Sequence, residues 1–442
     1  MVADAALLTG PGQELLARLA GMDVGPDRVF AVSEALRAEY PAELVAAALT
    51  QQALRVAGRA KFGAADQMLF TRAGLEQASS ELTAGHAAGR FAGARVVVDL
   101  CCGIGGNLVA LARQAETDRV VIGVDRDLVS LEFARHNVAA TAPAKRVGFV
   151  CADVRELPLT GVEAVFIDPA RRDERGRLPA GKYQPELGWC LGLAATVPSV
   201  GIKAAPGLDR GRVPDGWETE FVAVGRELKE AMLWSPGIST GVVSRATVLP
   251  SGDSLTSARA APASPASPTP RAPLAPPGEF LFDPSPAITR AGLVTDLGQL
   301  IGAWQIDPMI AFLSSDEPVR TPFARTLRVL ESAPWHEKRF AARLRELGVG
   351  SADIRRRGLA GDVAQIHRRL GLGRQKPATR SADDSPQTAP GRQAPGARPA
   401  DDSPRIALRG PGAATIVLTR VSDRPWGLIC VPVDAAGPGP VF

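Results

Sequence analysis

"VVVDLCCGIGGNLVALA", Val96 to Ala112, packs a strand, a glycine-rich turn and the start of a helix into one short run. Glycines between a strand and a helix let the backbone approach a ligand closely, and the helix N-terminus offers free N–H groups. The turn reads as a ligand seat. Outward from it, short apolar runs alternate with helical stretches. The runs are "RVVVDL", "VVIGVD", "RVGFVCAD", "AVFID" and "SVGIKAA", then "ETEFVAVG", "KEAMLW" and "ATVL". Near-continuous Val/Ile runs separated by helices predict a parallel sheet buried on both faces, in a doubly wound α/β domain.

A nucleotide, a phosphate or S-adenosylmethionine would each suit such a turn. A P-loop needs Gly-Lys-Ser/Thr, which is absent. A dinucleotide site wants G-x-G-x-x-G, whereas the order here is Asp99-Leu100-Cys101-Cys102-Gly103-Ile104-Gly105-Gly106-Asn107. S-adenosylmethionine has no phosphate, and an acid at the strand end can hold its amino group. The following strands carry further acids at their tips: Asp125 in "GVD", suited to both ribose hydroxyls; Asp153 in "FVCAD", in reach of an adenine amino group; and Asp168-Pro169 in "AVFIDP". Ligands bind at the C-terminal ends of strands in open α/β sheets. One such Asp would read equally well as a helix cap. Four in succession favour a ligand site.

The run from Val96 to about Leu249 resembles the class I S-adenosylmethionine-dependent methyltransferases. "DLCCGIGGN" and "GVD" are similar to the trimethylguanosine synthase branch, which acts on RNA guanine N2. The fuller pattern resembles actinobacterial methyltransferases carrying a C-terminal THUMP-like domain, through "LFTRAGLEQAS", "DPARRDERGR", "IKAAPGLD", "RELKEAMLWS" and "FLFDPSPAITRAGLV". The resemblance implies a Rossmann-like fold, S-adenosyl-L-methionine as cofactor and RNA (tRNA or rRNA) as partner. It implies that Asp99, Gly103 and Gly105 line the cofactor turn, that Asp125 holds the ribose and Asp153 the adenine, and that Cys101, Asn107, Arg126 and Val154 stand beside them. It places Asp168, with Pro169 and Arg171, against both cofactor and acceptor. Amino-methylating relatives end this strand in Asp/Asn-Pro-Pro-aromatic. Here Asp168-Pro169-Ala170-Arg171 keeps the acid and first proline and replaces the aromatic, and an arginine plane can stack on a base or clamp a phosphate. "RRDERGR" also reads as a solvated loop with internal charge pairs.

The remaining chain sets limits. At 442 residues two or three domains are expected. The net charge of +4 and pI near 8.9 permit a polyanionic partner, and with seven lysines the positive charge is nearly all arginine. GC-rich codons would give the same bias. Five cysteines without a CxxC pair and four histidines argue against a disulfide framework and a metal site. No Pro-Cys or Thr-Cys pair offers a base-attacking thiol, so Cys101 and Cys102 read as small packing residues. No apolar run reaches spanning length and no leader is visible, so the expectation is a cytoplasmic protein.

Residues 1–92 read as a helical region, including the helix from Pro41 to Gly63, with no chemistry visible in it. Residues 93–250 form the methyltransferase domain, with Lys203 and Trp234 near the ends of later strands and within reach of a substrate. Residues 251–277 read as a Pro/Ala/Ser-rich linker. Residues 278–442 read as a THUMP-like α+β domain with a low-complexity insert at about 376–404. In it, "AITRAGLVTDLGQLIGAW" predicts one amphipathic helix with Ala291, Val294, Leu297, Ile301 and Trp304 on one face. "EFLF", "RTLRVLES", "ADIRRRG", "RIALRG", "ATIVLTRV" and "WGLICVPV" predict strands. The densest basic runs hold Arg355, Arg356 and Arg357, then Arg368, Arg369 and Arg374. Strand alternation puts Arg355 and Arg357 on one face, a candidate for RNA docking. The expected activity is methyl transfer to RNA. The other readings are a small-molecule or protein methyltransferase and a non-catalytic RNA-binding protein on the same fold.

Overall fold

The computed structural model describes residues 2–25, 27–114, 118–142, 145–170, 172–173, 176–177, 183–257, 273–359, 362–372 and 414–433. The chain forms two compact units, Met1–Ser267 with Ser285–Asp296, and Pro268–Pro284 with Leu297–Phe442.

The first unit opens with helices α1 (Val2–Ala6), α2 (Gly10–Ala20), α3 (Val29–Arg37), α4 (Ala42–Gly58), α5 (Arg72–Gln77) and α6 (Glu81–Gly89). A nine-stranded sheet follows: β1 (Val96–Leu100), β2 (Val120–Asp125), β3 (Arg146–Cys151), β4 (Ala164–Ile167), β5 (Ser199–Ala204), β6 (Glu218–Val224), β7 (Glu227–Trp234), β8 (Ser244–Leu249) and β9 (Asp253–Thr256). Between the strands lie α7 (Gly106–Arg113), α8 (Leu128–Thr141) and α9 (Leu187–Gly192). The strand order is β3-β2-β1-β4-β5-β7-β6-β8-β9. Strands β1 to β5 run parallel, and Val98 faces Ile122 of β2 and Val165 of β4.

The sheet is mixed where an all-parallel one is expected from the apolar runs. Strand β7 is antiparallel to both β5 and β6. The cause is local: only Gly225 and Arg226 separate the paired residues Val224 and Glu227. A two-residue loop makes a hairpin, whereas a parallel return needs a long crossover. The start of the expected linker also departs from expectation. Residues 253–256 form the edge strand β9, antiparallel to β8, with Asp253 opposite Val248. Residues 258–272 of the linker lie outside the described residues, as does the insert at 376–404.

The N-terminal helices belong to this unit. Leu15, Leu16 and Leu19 of α2, Leu36 of α3 and Val45 and Ala48 of α4 share one buried cluster with Phe70, Ile104 and Phe133. Buried Asn137 of α8 ties the regions together: its Oδ1 accepts from the Leu69 N–H at 2.7 Å and its Nδ2 donates to the carbonyls of Leu69 and Ile104, each at 2.9 Å. A buried amide with these partners contributes alignment as well as burial. Under α6, Phe91, Phe166 and Trp234 pack edge to face at 6.2 and 5.9 Å.

The expected long helix of the last third breaks in two, α10 (Pro286–Ala291) and α11 (Val294–Leu300). Gly292 stops the first at φ +76, a left-handed cap that glycine adopts freely. Segment 285–296 counts with the first unit although β10 (Phe280–Pro284) before it counts with the second, so the boundary drawn at 278 is not a single cut. Ser244 Oγ and Arg210 Nη1 each donate to the Ala291 carbonyl at 2.8 Å, and Arg290 lies 5.8 Å over Phe221. Trp304 sits in a strand.

The second unit is a seven-stranded sheet of β10, β11 (Trp304–Gln305), β12 (Leu313–Ser315), β13 (Ala324–Pro334), β14 (Asp353–Arg356), β15 (Thr415–Val421) and β16 (Arg424–Pro432). Their order is β11-β12-β10-β13-β16-β15-β14, with β14 and β15 parallel. Alternation along β15 sends Ile416 and Leu418 toward Phe340 and Leu344 of α12 (Glu337–Glu346), and Val417 toward Phe312 and Leu327 on the other face. Helix α13 (Val363–Arg369) completes the described residues. "RIALRG" and Arg374 lie outside them.

Candidate active site

The strand tips of β1 to β4 converge. The chain leaves β1 through Cys101 at φ +61 and Gly103 at φ +52, and Gly105 at φ +86 opens α7. A side chain on Gly105 would meet Ala134 at 3.0 Å, so this glycine serves close packing of the turn on α8. A Cβ on Gly103 would meet nothing within 4 Å, which leaves the backbone open to a neighbour.

Asp125 ends β2. One oxygen accepts the Gly103 N–H at 2.8 Å and the other accepts the Asp127 N–H at 2.9 Å. Burial raises its pKa against the lowering effect of those donors. Each oxygen keeps acceptor capacity at a cavity wall. The cavity, about 560 Å³, is lined by Gly103, Asn107, Asp125, Asp168, Pro169 and Cys101, among others. Its far wall is unexpected. Thr71, Gly74, Glu76, Gln77 and Ala78, on and beside α5, roof the turn. Thr71 caps α5 by accepting the Gly74 N–H at 2.9 Å. At the other end the Lys61 ammonium donates to the carbonyls of Leu75, Glu76 and Ala78 at 2.7, 3.0 and 2.8 Å. The signal for this roof lay in "LFTRAGLEQAS", a stretch whose apolar pattern by itself announces only a short helix.

Asp99 is fully buried, and neither carboxylate oxygen has a hydrogen-bond partner among the described residues. Burial first, then Asp168 and Asp125, pushes it well above the usual carboxylate range. Burial thus opposes the charge of an acid held behind the turn. Burial likewise raises the thiols of Cys101 and Cys102, which leaves them poor nucleophiles.

A smaller recess of about 100 Å³ is lined by Arg126, Asp153 and Val154, with Cys101 and Asp125 on its inner side and Gln184 and Pro185 completing it. Asp153 is gripped by Arg155, whose Nε and Nη2 donate at 3.0 and 2.6 Å and hold its carboxyl well below the ordinary range.

Asp168 follows β4. Its Oδ2 accepts from the Lys203 ammonium at 2.7 Å. The pair follows from register, because Ile167 lies opposite Ile202 across β4 and β5. Lys203 is 8% exposed and lines a second cavity of about 950 Å³. Trp234, by contrast, is fully buried, with its ring N–H donated to Glu220 at 2.8 Å, so it belongs to the core and approaches no substrate. Arg171 lies outside the described residues, and Arg172 is described in its backbone alone. In the second unit Arg355 pairs with Asp353 at 2.8 Å. Arg357 pairs with Asp283 at 3.0 Å and lies 5.1 Å over Phe312. Each of the two arginines of the expected docking face therefore has an acidic partner within its own domain, while Arg355 keeps 42% of its side chain exposed.

No group of three or more His, Cys, Asp or Glu among the described residues could hold a metal ion, and no helix there is long and apolar enough to cross a membrane. A methyltransferase domain family matches residues 97–168, a THUMP domain-like family matches 324–382, and a domain of unknown function matches 3–58. An "uncharacterized S-adenosylmethionine-dependent methyltransferase" of the actinobacterium Mycobacterium tuberculosis, strain H37Rv, is 38% identical over 316 residues, covering 70% of this chain and 83% of that protein. A counterpart in strain CDC 1551 matches equally. A solved structure from Porphyromonas gingivalis W83, described as a "putative methyltransferase", is 20% identical with a TM-score of 0.70, covering 96% of this chain and 99% of that one, and shows the fold. The open glycine turn, the anchored Asp125 and the M. tuberculosis relative agree: the chain belongs to the S-adenosylmethionine-dependent methyltransferases, with S-adenosylmethionine as its cofactor and a THUMP-like domain at its C-terminal end.

Proposed function

We propose that the protein methylates RNA in the cytoplasm, at an exocyclic amino group of a base held beside Asp168. The observation that carries the reading is Asp168 itself: a strand-tip carboxylate at the wall of the cofactor cavity, with one oxygen anchored by Lys203 and the other unencumbered by that pair. S-adenosylmethionine supplies a methyl group already activated on a sulfonium, so the chain's task is placement. Asp125, oriented by two backbone N–H groups, accepts the ribose hydroxyls. Arg126, Asp153 and Val154 border the adenine, while Cys101, Gly103, Asn107 and buried Asp99 shape the turn. Asp168 accepts an N–H of the target amine and aims its lone pair at the methyl group, and the proton that nitrogen sheds after transfer passes to solvent. Pro169 stiffens the approach, and Arg171 takes the place of the stacking aromatic.

RNA is favoured by the THUMP domain-like match at 324–382, and guanine N2 by the likeness of "DLCCGIGGN" to the trimethylguanosine synthase branch. The engagement of Arg355 and Arg357 favours a second reading, a small-molecule acceptor with a C-terminal domain that completes the fold. Mass spectrometry of total RNA nucleosides from a deletion strain and its parent separates them. The RNA reading expects one methylated nucleoside to disappear. Identical nucleoside profiles would overturn it.

A further inference from the structure

The second cavity, about 950 Å³, lies wholly within the first unit and has no part in cofactor binding as derived above. It opens at the same edge of the sheet: Lys203 near the end of β5, Val224 at the end of β6, Leu249 at the end of β8, and Glu230 near the start of antiparallel β7. Glu76, Gln77 and Ala78 line both cavities, so one short segment is their common wall. The Lys203 ammonium crosses that partition, lining the second cavity while bonding Asp168, which lines the first.

We propose that this second cavity receives the methyl acceptor, and that the acceptor is a flat nitrogen heterocycle bearing an amino group, a nucleobase turned out of its strand. This rests on the RNA reading above and gives it a place. A base offers apolar faces and a polar edge, and the lining matches. Phe62, Leu82, Val224 and Leu249 supply apolar surface, Ser79 and Glu230 supply donors and acceptors, and Arg59, Lys61, Glu76, Glu81, His86 and Lys229 line it as ionisable groups. Glu230 is 4% exposed and accepts from Ser79 Oγ at 3.2 Å. Burial raises its pKa against the lowering effect of Lys203 and Ser79. The acceptor's amino group reaches Asp168 at the carboxylate oxygen that does not accept from Lys203.

The test fills the cavity from opposite walls. Leu82→Trp is at an exposed position of α6 and Val224→Trp at a half-buried strand end, so one tolerates a fold defect in the other. Transfer of tritiated methyl from S-adenosylmethionine to total RNA is measured for wild type and both variants, with calorimetric titration of S-adenosylhomocysteine. The expected result is a fall in kcat/KM for RNA of at least about tenfold in each folded variant, with cofactor affinity unchanged. Variants that label RNA at the wild-type rate overturn the placement while leaving the RNA reading intact. Wild type that labels no RNA overturns the reading and the placement together.

Discussion

Two pairs of carboxylates, one in each half of the large sheet, are used in opposite ways. In the parallel half, Asp125 and Asp168 sit at strand tips on a cavity wall, their positions set by backbone N–H groups or a single lysine. In the mixed half, Glu218 and Glu220 sit inside β6 with no exposed side-chain surface. Glu218 accepts from Arg90 at 2.8 Å and Arg245 at 2.7 Å, and Glu220 accepts from His86 and Trp234, both at 2.8 Å, and from Thr247. Burial would raise Glu220, but His86, Thr247 and Trp234 outweigh it and bring it down to about 2. A carboxylate whose partners are already supplied by the fold is structural. One left with acceptor capacity beside a cavity is free to serve a ligand.

The strongest way to break this contrast is Asp168→Ala. It should lower turnover by about two to four orders of magnitude while leaving cofactor affinity nearly unchanged. Asp168→Asn keeps an acceptor oxygen and should lose less if the target is an amine. Equal losses in both variants would make Asp168 a proton acceptor first. Single-turnover transfer to total RNA measures both.

A smaller effect sharpens the structural side. His86 is raised: burial would lower it, and the hydrogen bond and charge of Glu220 prevail. A raised histidine stabilises fully below its unfolded value of about 6.5 and loses that contribution as pH rises through the folded value. A lowered Glu220 contributes above its unfolded value and loses that contribution toward about pH 2. His86→Ala should therefore cost more stability at about pH 5.5 than at about pH 8.5. Urea melts at both values check it, and a deficit independent of pH would show that His86 acts there as a neutral donor.

The parallel half was legible because its information is local. Asp99, Asp125, Asp153 and Asp168 each end an apolar run within a few residues of a turn. The mixed half hid its information in distance. Arg90 lies 128 residues from Glu218 and His86 lies 134 from Glu220, so nothing within "ETEFVAV" names the partners of its two acids. The hairpin was in plain sight as Gly225-Arg226 between two apolar runs, and the Val-rich runs spoke louder. The same holds for Arg357, whose partner Asp283 lies 74 residues away. The roof over the cofactor turn was visible as a helix and silent as a site, since nothing in "TRAGLEQ" names what it covers.

The most direct test of the contrast is the stabilisation that S-adenosylhomocysteine confers on three proteins: wild type, Asp125→Ala and Glu220→Ala. A ligand at about 100 times its Kd adds about 2.7 kcal/mol to a wild-type fold. Asp125→Ala, which frees two N–H groups at a cavity wall, should lose less stability without ligand than Glu220→Ala and keep about half of that gain or less, an affinity loss of about tenfold or more. Glu220→Ala leaves the donors of His86, Trp234 and Thr247 unpaired, so it should melt earlier by about 3–5 kcal/mol and keep the full ligand gain. The reverse pattern, with Asp125→Ala unstable but fully stabilised by the ligand, or Glu220→Ala stable but blind to it, would contradict the division of these carboxylates into ligand-serving and structural ones.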